Sequence, residues 1–92
     1  MAIGAIQAIE EAGLKPGKDI VIVSIDGVRG AFEAMMQGKL NATVECNPLL
    51  GPTLMQTAQA VVAGKQVAQR ITVTEGVFPA EVAAREFPNR KY

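Results

Sequence analysis

A short run of β-branched residues constrains the fold of this chain more than any other stretch. Residues 20–25 read Ile-Val-Ile-Val-Ser-Ile, and Asp26 and Gly27 follow at once. Val and Ile lose rotamer freedom in a helix, so a run this short predicts a strand that is buried on both faces, as in the centre of a parallel sheet. Asp26 would then stand at the carboxyl end of the strand, where open parallel sheets bind their ligands.

The position of Asp26 leaves two interpretations open. A carboxylate is costly to bury without a partner, so contact with a ligand beyond the strand is one role. The other role is to cap the helix that is predicted to start at Val28, because Asp is a common N-cap residue. Spacing alone does not decide between the two roles.

The rest of the chain alternates between helical and strand-like periodicity. The pattern predicts helices over residues 2–13, 28–37 and 49–63, further strands over residues 40–46 and 69–74, and a short helix over residues 79–86. Such alternation with short loops is typical of α/β folds, in which right-handed βαβ units build a parallel sheet. The expected fold is therefore a partial parallel sheet with flanking helices.

Two of these elements carry predictions about burial. In the strand over residues 40–46, the alternation predicts one better-covered face, with Leu40, Ala42, Val44 and Cys46 on one side and Asn41, Thr43 and Glu45 on the other. In the helix over residues 49–63, a buried stripe is predicted for Leu50, Leu54, Ala58, Val61 and Val62. No residue before Ala2 can cap the first helix, and the first strand has no upstream partner. We therefore expect residues 1–92 to be part of a larger α/β domain.

The composition excludes several classes of function. Nine basic and nine acidic residues cancel, and no basic stripe predicts contact with nucleic acid. No apolar run approaches the roughly 20 residues that are needed to cross a bilayer, and the first residues lack the basic segment of a signal peptide. The chain has no histidine, no nucleotide-binding loop and no clustered metal ligands. We therefore expect no enzyme activity, no catalytic residue, no cofactor and no metal.

Three segments carry a resemblance to a known family. Residues 1–14 read Met-Ala-Ile-Gly-Ala-Ile-Gln-Ala-Ile-Glu-Glu-Ala-Gly-Leu, residues 23–27 read Val-Ser-Ile-Asp-Gly, and residues 38–44 read Gly-Lys-Leu-Asn-Ala-Thr-Val. In this order they resemble the second lobe of bacterial periplasmic sugar-binding proteins of the ribose-binding type, which deliver sugars to ABC transporters. Residues 40–52 look most like the galactofuranose-binding branch, and the resemblance covers essentially the whole chain.

The resemblance implies a two-lobed clamp that closes on one monosaccharide in the periplasm and is then recognised by a membrane permease. Residues 1–92 would be the C-terminal portion of a Rossmann-like lobe of the type I periplasmic-binding-protein fold, without the first lobe and the hinge. Asp26 would accept hydrogen bonds from sugar hydroxyls. Cys46 stands where ribose binders carry a glutamine, so Asn47 is the second candidate for a sugar contact. Asn47 also has a structural interpretation, because Asn-Pro is a common turn opener.

Two alternative functions remain open at this point. The effector-binding core of a LacI-type repressor shares the fold and places an Asp at the same strand end. Such cores usually read Gly-Phe-Asp-Asp there, whereas residues 24–27 read Ser-Ile-Asp-Gly. The other alternative is a self-assembling interaction module, which would pair its open strand edges with another copy. For the isolated chain, we expect self-association and weak or no sugar binding.

Overall fold

A small, partly parallel sheet organises the chain, and the expected α/β fold is confirmed. The computed structural model describes all 92 residues. The sheet contains β1 (Val23–Asp26), β2 (Ala42–Glu45) and β3 (Val77–Pro79), in the order β1-β2-β3. β1 and β2 are parallel and are connected by α2 (Arg29–Met36), whereas β2 and β3 are antiparallel. One edge of the sheet is therefore the unpaired side of β1.

Four α-helices accompany the sheet, and the first three lie where the periodicity predicts them. They are α1 (Ala2–Glu11), α2, α3 (Gly51–Val62) and α4 (Ala83–Glu86), with 3₁₀ turns at Ala80–Val82 and Phe87–Asn89. As expected, no side chain caps the first turn of α1. None of the helices is both long and apolar enough to cross a membrane.

The hydrophobic core lies between one face of the sheet and the helices α1, α2 and α4. Its centre is Phe32 on α2, which is wholly buried and whose ring centroid lies 5.2 Å from that of Phe78. Gly38 follows the C-cap of α2 with a φ of +75°, which suits a glycine, and the N–H of Lys39 donates to the carbonyl of Ala34. Eight buried apolar residues make up the core, namely Ile6, Ile22, Ala31, Phe32, Ala34, Met35, Leu40 and Ala83.

Strand β2 has one better-covered face, as predicted. Between Ala42 and Glu45, the covered face is the one that carries the polar side chains. Thr43 and Glu45 are buried, whereas Val44 and the following Cys46 are exposed. Burial of these polar groups is tolerated because they have partners. The hydroxyl of Thr43 accepts a hydrogen bond of 2.8 Å from the hydroxyl of Ser24, and the partners of Glu45 are described below.

The opposite face of the sheet is bare, so the prediction that the first strand is buried on both faces is wrong. Val23, Ile25 and Val77 are each 70% exposed, and Val44 is 41% exposed. Ile25, Val44 and Val77 are lateral neighbours across the three strands, so they form one continuous apolar row. No helix of this chain covers that row, and β1 begins only at Val23 instead of residue 20.

The prediction for the third strand was also wrong. Residues 69–74 form no strand and are all exposed, and β3 instead lies at Val77–Pro79 and runs antiparallel to β2. Ile71 and Val73 alternate with polar residues, but no neighbouring strand is available to pair with them. Pro79, predicted to start a helix, ends β3, and the helical residues follow it as a 3₁₀ turn and α4.

Helix α3 has none of the burial that its apolar stripe predicts. It contains no buried residue, and Leu54, Val61 and Val62 are 65%, 55% and 88% exposed. It makes no extensive contact with any other helix or strand. The chain accordingly measures 59 Å along its longest axis, and its radius of gyration is 17.5 Å. A compact chain of this length would have a radius of gyration of about 12 Å.

This difference in packing predicts a difference in local stability. Amide hydrogens of α3 should exchange with solvent at least about tenfold faster than those of α2, because an unsupported helix of this length is marginal in water. Amide exchange of the chain, followed by NMR at two protein concentrations, measures both helices at once. Equal protection of α3 and α2 at the lower concentration would contradict the prediction, and protection that appears only at the higher one would reveal contact with another copy.

Candidate functional site

The candidate site lies where β1 and β2 end side by side. Asp26 and Glu45 are the last residues of these parallel strands and are partners in the register. The carbonyl of Asp26 also accepts a hydrogen bond of 3.2 Å from the N–H of Cys46, which places the chain leading to Asn47 beside it. The two predicted site residues therefore lie at the same edge of the sheet.

Asp26 has an exposed carboxylate that makes no hydrogen bond or ion pair within the chain. The proposed capping role is not observed: Val28 is the N-cap residue of α2 and no side chain caps the helix. The first N–H of the helix, that of Arg29, donates instead to the main-chain oxygen of Tyr92 at 2.8 Å. Both oxygens of the Asp26 carboxylate therefore remain available to a ligand.

The backbone of Asp26 is strained. Its φ is +115°, and it is the only residue other than glycine with a positive φ. Such conformations cost about 1–3 kcal/mol each and are common at functional sites. Gly27 follows with a φ of +68°, and a Cβ atom there would lie 3.2 Å from the Cα of Glu45. The tight approach of the two strand ends therefore depends on a glycine at position 27.

Glu45 contrasts with Asp26, because its carboxylate is buried and fully occupied. One oxygen accepts a hydrogen bond of 2.6 Å from the hydroxyl of Tyr92 and lies 3.0 Å from Nη2 of Arg90. The other accepts the N–H of Gly76 at 3.1 Å. The two carboxylates end adjacent strands, but each oxygen of Glu45 already has a partner within the chain.

The pKa values in this cluster follow from these contacts. The hydrogen bond from Tyr92 lowers the pKa of Glu45, helped by Gly76 and Arg90, although burial acts in the opposite direction. Burial, together with the hydrogen bond to the Glu45 carboxylate, raises the pKa of Tyr92 to about 12. Both shifts favour an ionised Glu45 and a protonated Tyr92, which is the combination that the 2.6 Å hydrogen bond requires.

Arg90 is held in the cluster by aromatic rings as well as by Glu45. Its guanidinium carbon lies 5.1 Å, 5.0 Å and 5.5 Å from the ring centroids of Phe32, Phe78 and Tyr92. These distances are typical of cation–π interactions. The sequence does not predict Arg90 and Tyr92 as part of this site, because no periodicity connects residues 87–92 to the end of β2. The only signal was the composition, since Tyr92 is the single tyrosine of the chain.

Asn47 is half-buried and opens the turn that leads to α3. Its Oδ1 atom accepts the N–H of Leu49 at 2.8 Å, so the structural interpretation of this Asn-Pro turn is correct. Its own N–H donates to the carboxylate of Glu75 at 2.8 Å, while Nδ2 has no hydrogen-bond partner. Asn47 lines a cleft of about 170 Å³ together with Glu45, Arg90 and Tyr92. Neither candidate residue lines the open cleft of about 300 Å³ between α1 and α2.

Proteins of known function are similar to this chain over nearly all of its length. It is 41% identical over 91 residues to the galactofuranose-binding protein YtfQ of Escherichia coli (strain K12), covering 99% of this chain and 29% of that protein. It is 36% identical over 89 residues to the fructose import binding protein FruE of Bifidobacterium longum (strain NCC 2705), covering 97% of this chain and 27% of FruE. The chain thus spans less than a third of the length of these relatives. No protein-family model matches it.

Solved structures agree with these similarities. The periplasmic component of the arabinose ABC transporter from Shewanella sp. ANA-3, bound to α- and β-L-arabinofuranose, has a TM-score of 0.86 and 49% identity over 98% of this chain and 30% of its own. A Mycobacterium smegmatis protein in complex with β-D-fucofuranose has a TM-score of 0.90 and 47% identity over 97% of this chain and 29% of its own. The chain is therefore homologous to part of the periplasmic sugar-binding proteins, which confirms the resemblance found in the sequence.

The strain at Asp26 generates a test that needs no ligand. Asp26→Gly should be more stable than Asp26→Ala by about 1 kcal/mol, because only glycine adopts the positive φ at this position without strain. Urea unfolding of the two variants measures the difference. The alanine variant is the matched control, since both changes remove the carboxylate. Equal stability of the two variants would contradict a strained backbone at this site.

Proposed function

We propose that this chain is the C-terminal portion of the sugar-binding lobe of a periplasmic solute-binding protein, whose complete form binds one monosaccharide for an ABC importer. The observation that carries this proposal is the exposed, unpartnered carboxylate of Asp26 at the end of a parallel strand. Homology to import-binding proteins supports it and favours transport over a repressor core. Residues 1–92 would supply one part of the cleft, and the first lobe would supply the rest.

The ligand class that we propose is a furanose sugar. The relatives and solved structures include proteins for galactofuranose, arabinofuranose and fucofuranose. A sugar offers neighbouring hydroxyl groups, and a carboxylate accepts hydrogen bonds from them that are short and strong because the acceptor is charged. Asn47 would donate from Nδ2 to a sugar oxygen, since its Oδ1 is already used within the turn.

The mechanism that we propose is binding and closure without chemical change. The complete protein would exchange between open and closed arrangements of its lobes, and the sugar would favour the closed one because it contacts both lobes there. The membrane permease would then recognise the closed form. In this scheme Asp26 contributes to affinity and no residue acts as an acid, base or nucleophile.

Replacement of Asp26 in the complete protein tests the proposal. Asp26→Ala should weaken the binding of the preferred furanose by roughly 10-fold to 150-fold, which corresponds to about 1.5–3 kcal/mol for a hydrogen bond to a charged group. Isothermal titration calorimetry with galactofuranose, arabinofuranose and fucofuranose gives the dissociation constants. Glu33→Gln is the matched control, because Glu33 is an exposed carboxylate of α2 that makes no ion pair. Unchanged affinity in Asp26→Ala would remove Asp26 from the site.

For the isolated 92-residue chain, we also propose self-association through the bare face and the unpaired edge of the sheet. The exposed row of Ile25, Val44 and Val77 offers apolar area, and the outer side of β1 offers unpaired backbone groups. A second copy could cover both surfaces, since the same chain presents the same edge. This association would belong to the isolated chain, because in the complete protein other elements would occupy these surfaces.

Sedimentation velocity over a range of protein concentrations tests this association. The average mass should rise with concentration, and Val44→Lys should shift the rise to higher concentration because it places a charge at the centre of the row. Val62→Lys is the control, since Val62 is exposed on α3, a helix that makes no extensive contact with the sheet. A monomeric chain at all concentrations, or an equal effect of both substitutions, would be evidence against association through the sheet.

A further inference from the structure

Two chain segments connect the sheet to α3, and they lie next to each other at the carboxyl end of β2. Residues 46–50 lead from β2 to α3, and residues 63–76 lead back to β3. At the sheet, the N–H of Glu45 donates to the carbonyl of Gly76 at 2.8 Å, and the N–H of Asn47 donates to the carboxylate of Glu75 at 2.8 Å. The hydrogen-bonded ends of these two segments at the sheet, residues 45–47 and residues 75–76, are called the junction below.

The side chain of Glu45 joins the two halves of the junction to the tail of the chain, residues 87–92. Its Oε2 accepts the N–H of Gly76, and its Oε1 accepts the hydroxyl of Tyr92 and faces Arg90. The tail in turn contacts the end of β1 and the start of α2. Arg90 donates to the carbonyl of Gly27 at 3.4 Å, and the main-chain oxygen of Tyr92 accepts the first N–H of α2.

We propose that Glu45, Arg90 and Tyr92 form a lock that fixes the junction to the carboxyl edge of the sheet and thereby positions Asn47 for the sugar. The inference rests on the proposed function, because it concerns affinity at that same site. These three are positioning residues: Glu45 has no free oxygen for a ligand, and Arg90 is enclosed by three aromatic rings.

The packing of α3 indicates why the lock would affect the position of Asn47. α3 makes no extensive contact with any other helix or strand, and residues 63–75 after it are all exposed, so the junction sets the direction in which they project. Asn47 lies within the junction, and its backbone N–H donates to the carboxylate of Glu75, which ties the start of its turn to the returning segment. A site that is held in place before the ligand arrives loses less conformational entropy on binding. Loosening the junction should therefore reduce affinity through Asn47 and leave the contribution of Asp26 unchanged.

Near neutral pH, the protonation states of Glu45 and Tyr92 are those that the hydrogen bond between them requires. Tyr92 keeps its proton, since its pKa is raised to about 12, and the lowered pKa of Glu45 keeps that carboxylate ionised. The lock is thus a permanent part of the site under these conditions.

A double-mutant cycle in the complete protein tests this inference. Tyr92→Phe removes one hydroxyl and keeps the ring beside Arg90, and it should weaken furanose binding roughly threefold to tenfold, the range of one net hydrogen bond. Combined with Asn47→Ala, its effect should largely vanish, because the lock acts through Asn47. Combined with Asp26→Ala, its effect should persist in full. Titration calorimetry of the six proteins, wild type included, gives both couplings.

Controls separate positioning from loss of stability. Ile6→Ala removes a buried core side chain on α1, whose extensive contacts are with α2 and not with the sheet or the tail, so it should lower the melting temperature without changing the affinity. If Ile6→Ala weakens binding as much as Tyr92→Phe does, or if Tyr92→Phe has no effect or adds independently to Asn47→Ala, the lock does not position Asn47. Failure of the wild-type protein to bind any furanose would instead overturn the proposed function itself.

Discussion

The packing at the carboxyl edge of the sheet depends on the contacts of the buried carboxylate of Glu45. A charged group is costly to bury, and the cost is offset here because three donors converge on it: the Tyr92 hydroxyl, the Arg90 guanidinium and the Gly76 N–H. Those donors come from the tail and from the segment that returns to β3. Satisfying one charge therefore holds the end of β2, the returning segment and the tail together.

Two carboxylates at paired strand ends thus have opposite environments. Asp26 and Glu45 are register partners, yet the carboxylate of Asp26 is exposed and accepts no hydrogen bond, whereas that of Glu45 is buried and bound by three donors. The difference arises from the backbone, because the positive φ of Asp26 departs from strand geometry whereas Glu45 continues the strand. One carboxylate holds the structure together and the other remains free for binding. No contact of the Asp26 side chain within this chain explains its strained backbone. Such strain is common at functional sites, so it favours a role for Asp26 in a binding site.

Much of this could be predicted from local sequence, and the remainder could not for identifiable reasons. The sequence predicts the strand that ends at Asp26 from its run of β-branched residues and the helix over residues 28–37 from its periodicity, because both signals are contained in a few consecutive residues. The placement of Asp26 beyond a parallel strand followed from the same pattern. Glu45 contacts Arg90 and Tyr92, which lie at least 45 positions further along the sequence, and no periodic pattern predicts such long-range contacts. β3 was misplaced because Ile71 and Val73 alternate as well as Val77 and its neighbours do, and only pairing with β2 distinguishes the two segments.

The remaining errors share one cause. The bare row of Ile25, Val44 and Val77, the exposed stripe of α3 and the unpaired alternation of residues 69–74 all have the patterns of buried structure. Such patterns are shaped by everything that a segment packs against, while this chain spans less than a third of its relatives' length. Under the proposed function, each surface would face another part of the complete protein. A local apolar pattern therefore does not by itself specify burial within these 92 residues, because burial depends on what each segment packs against.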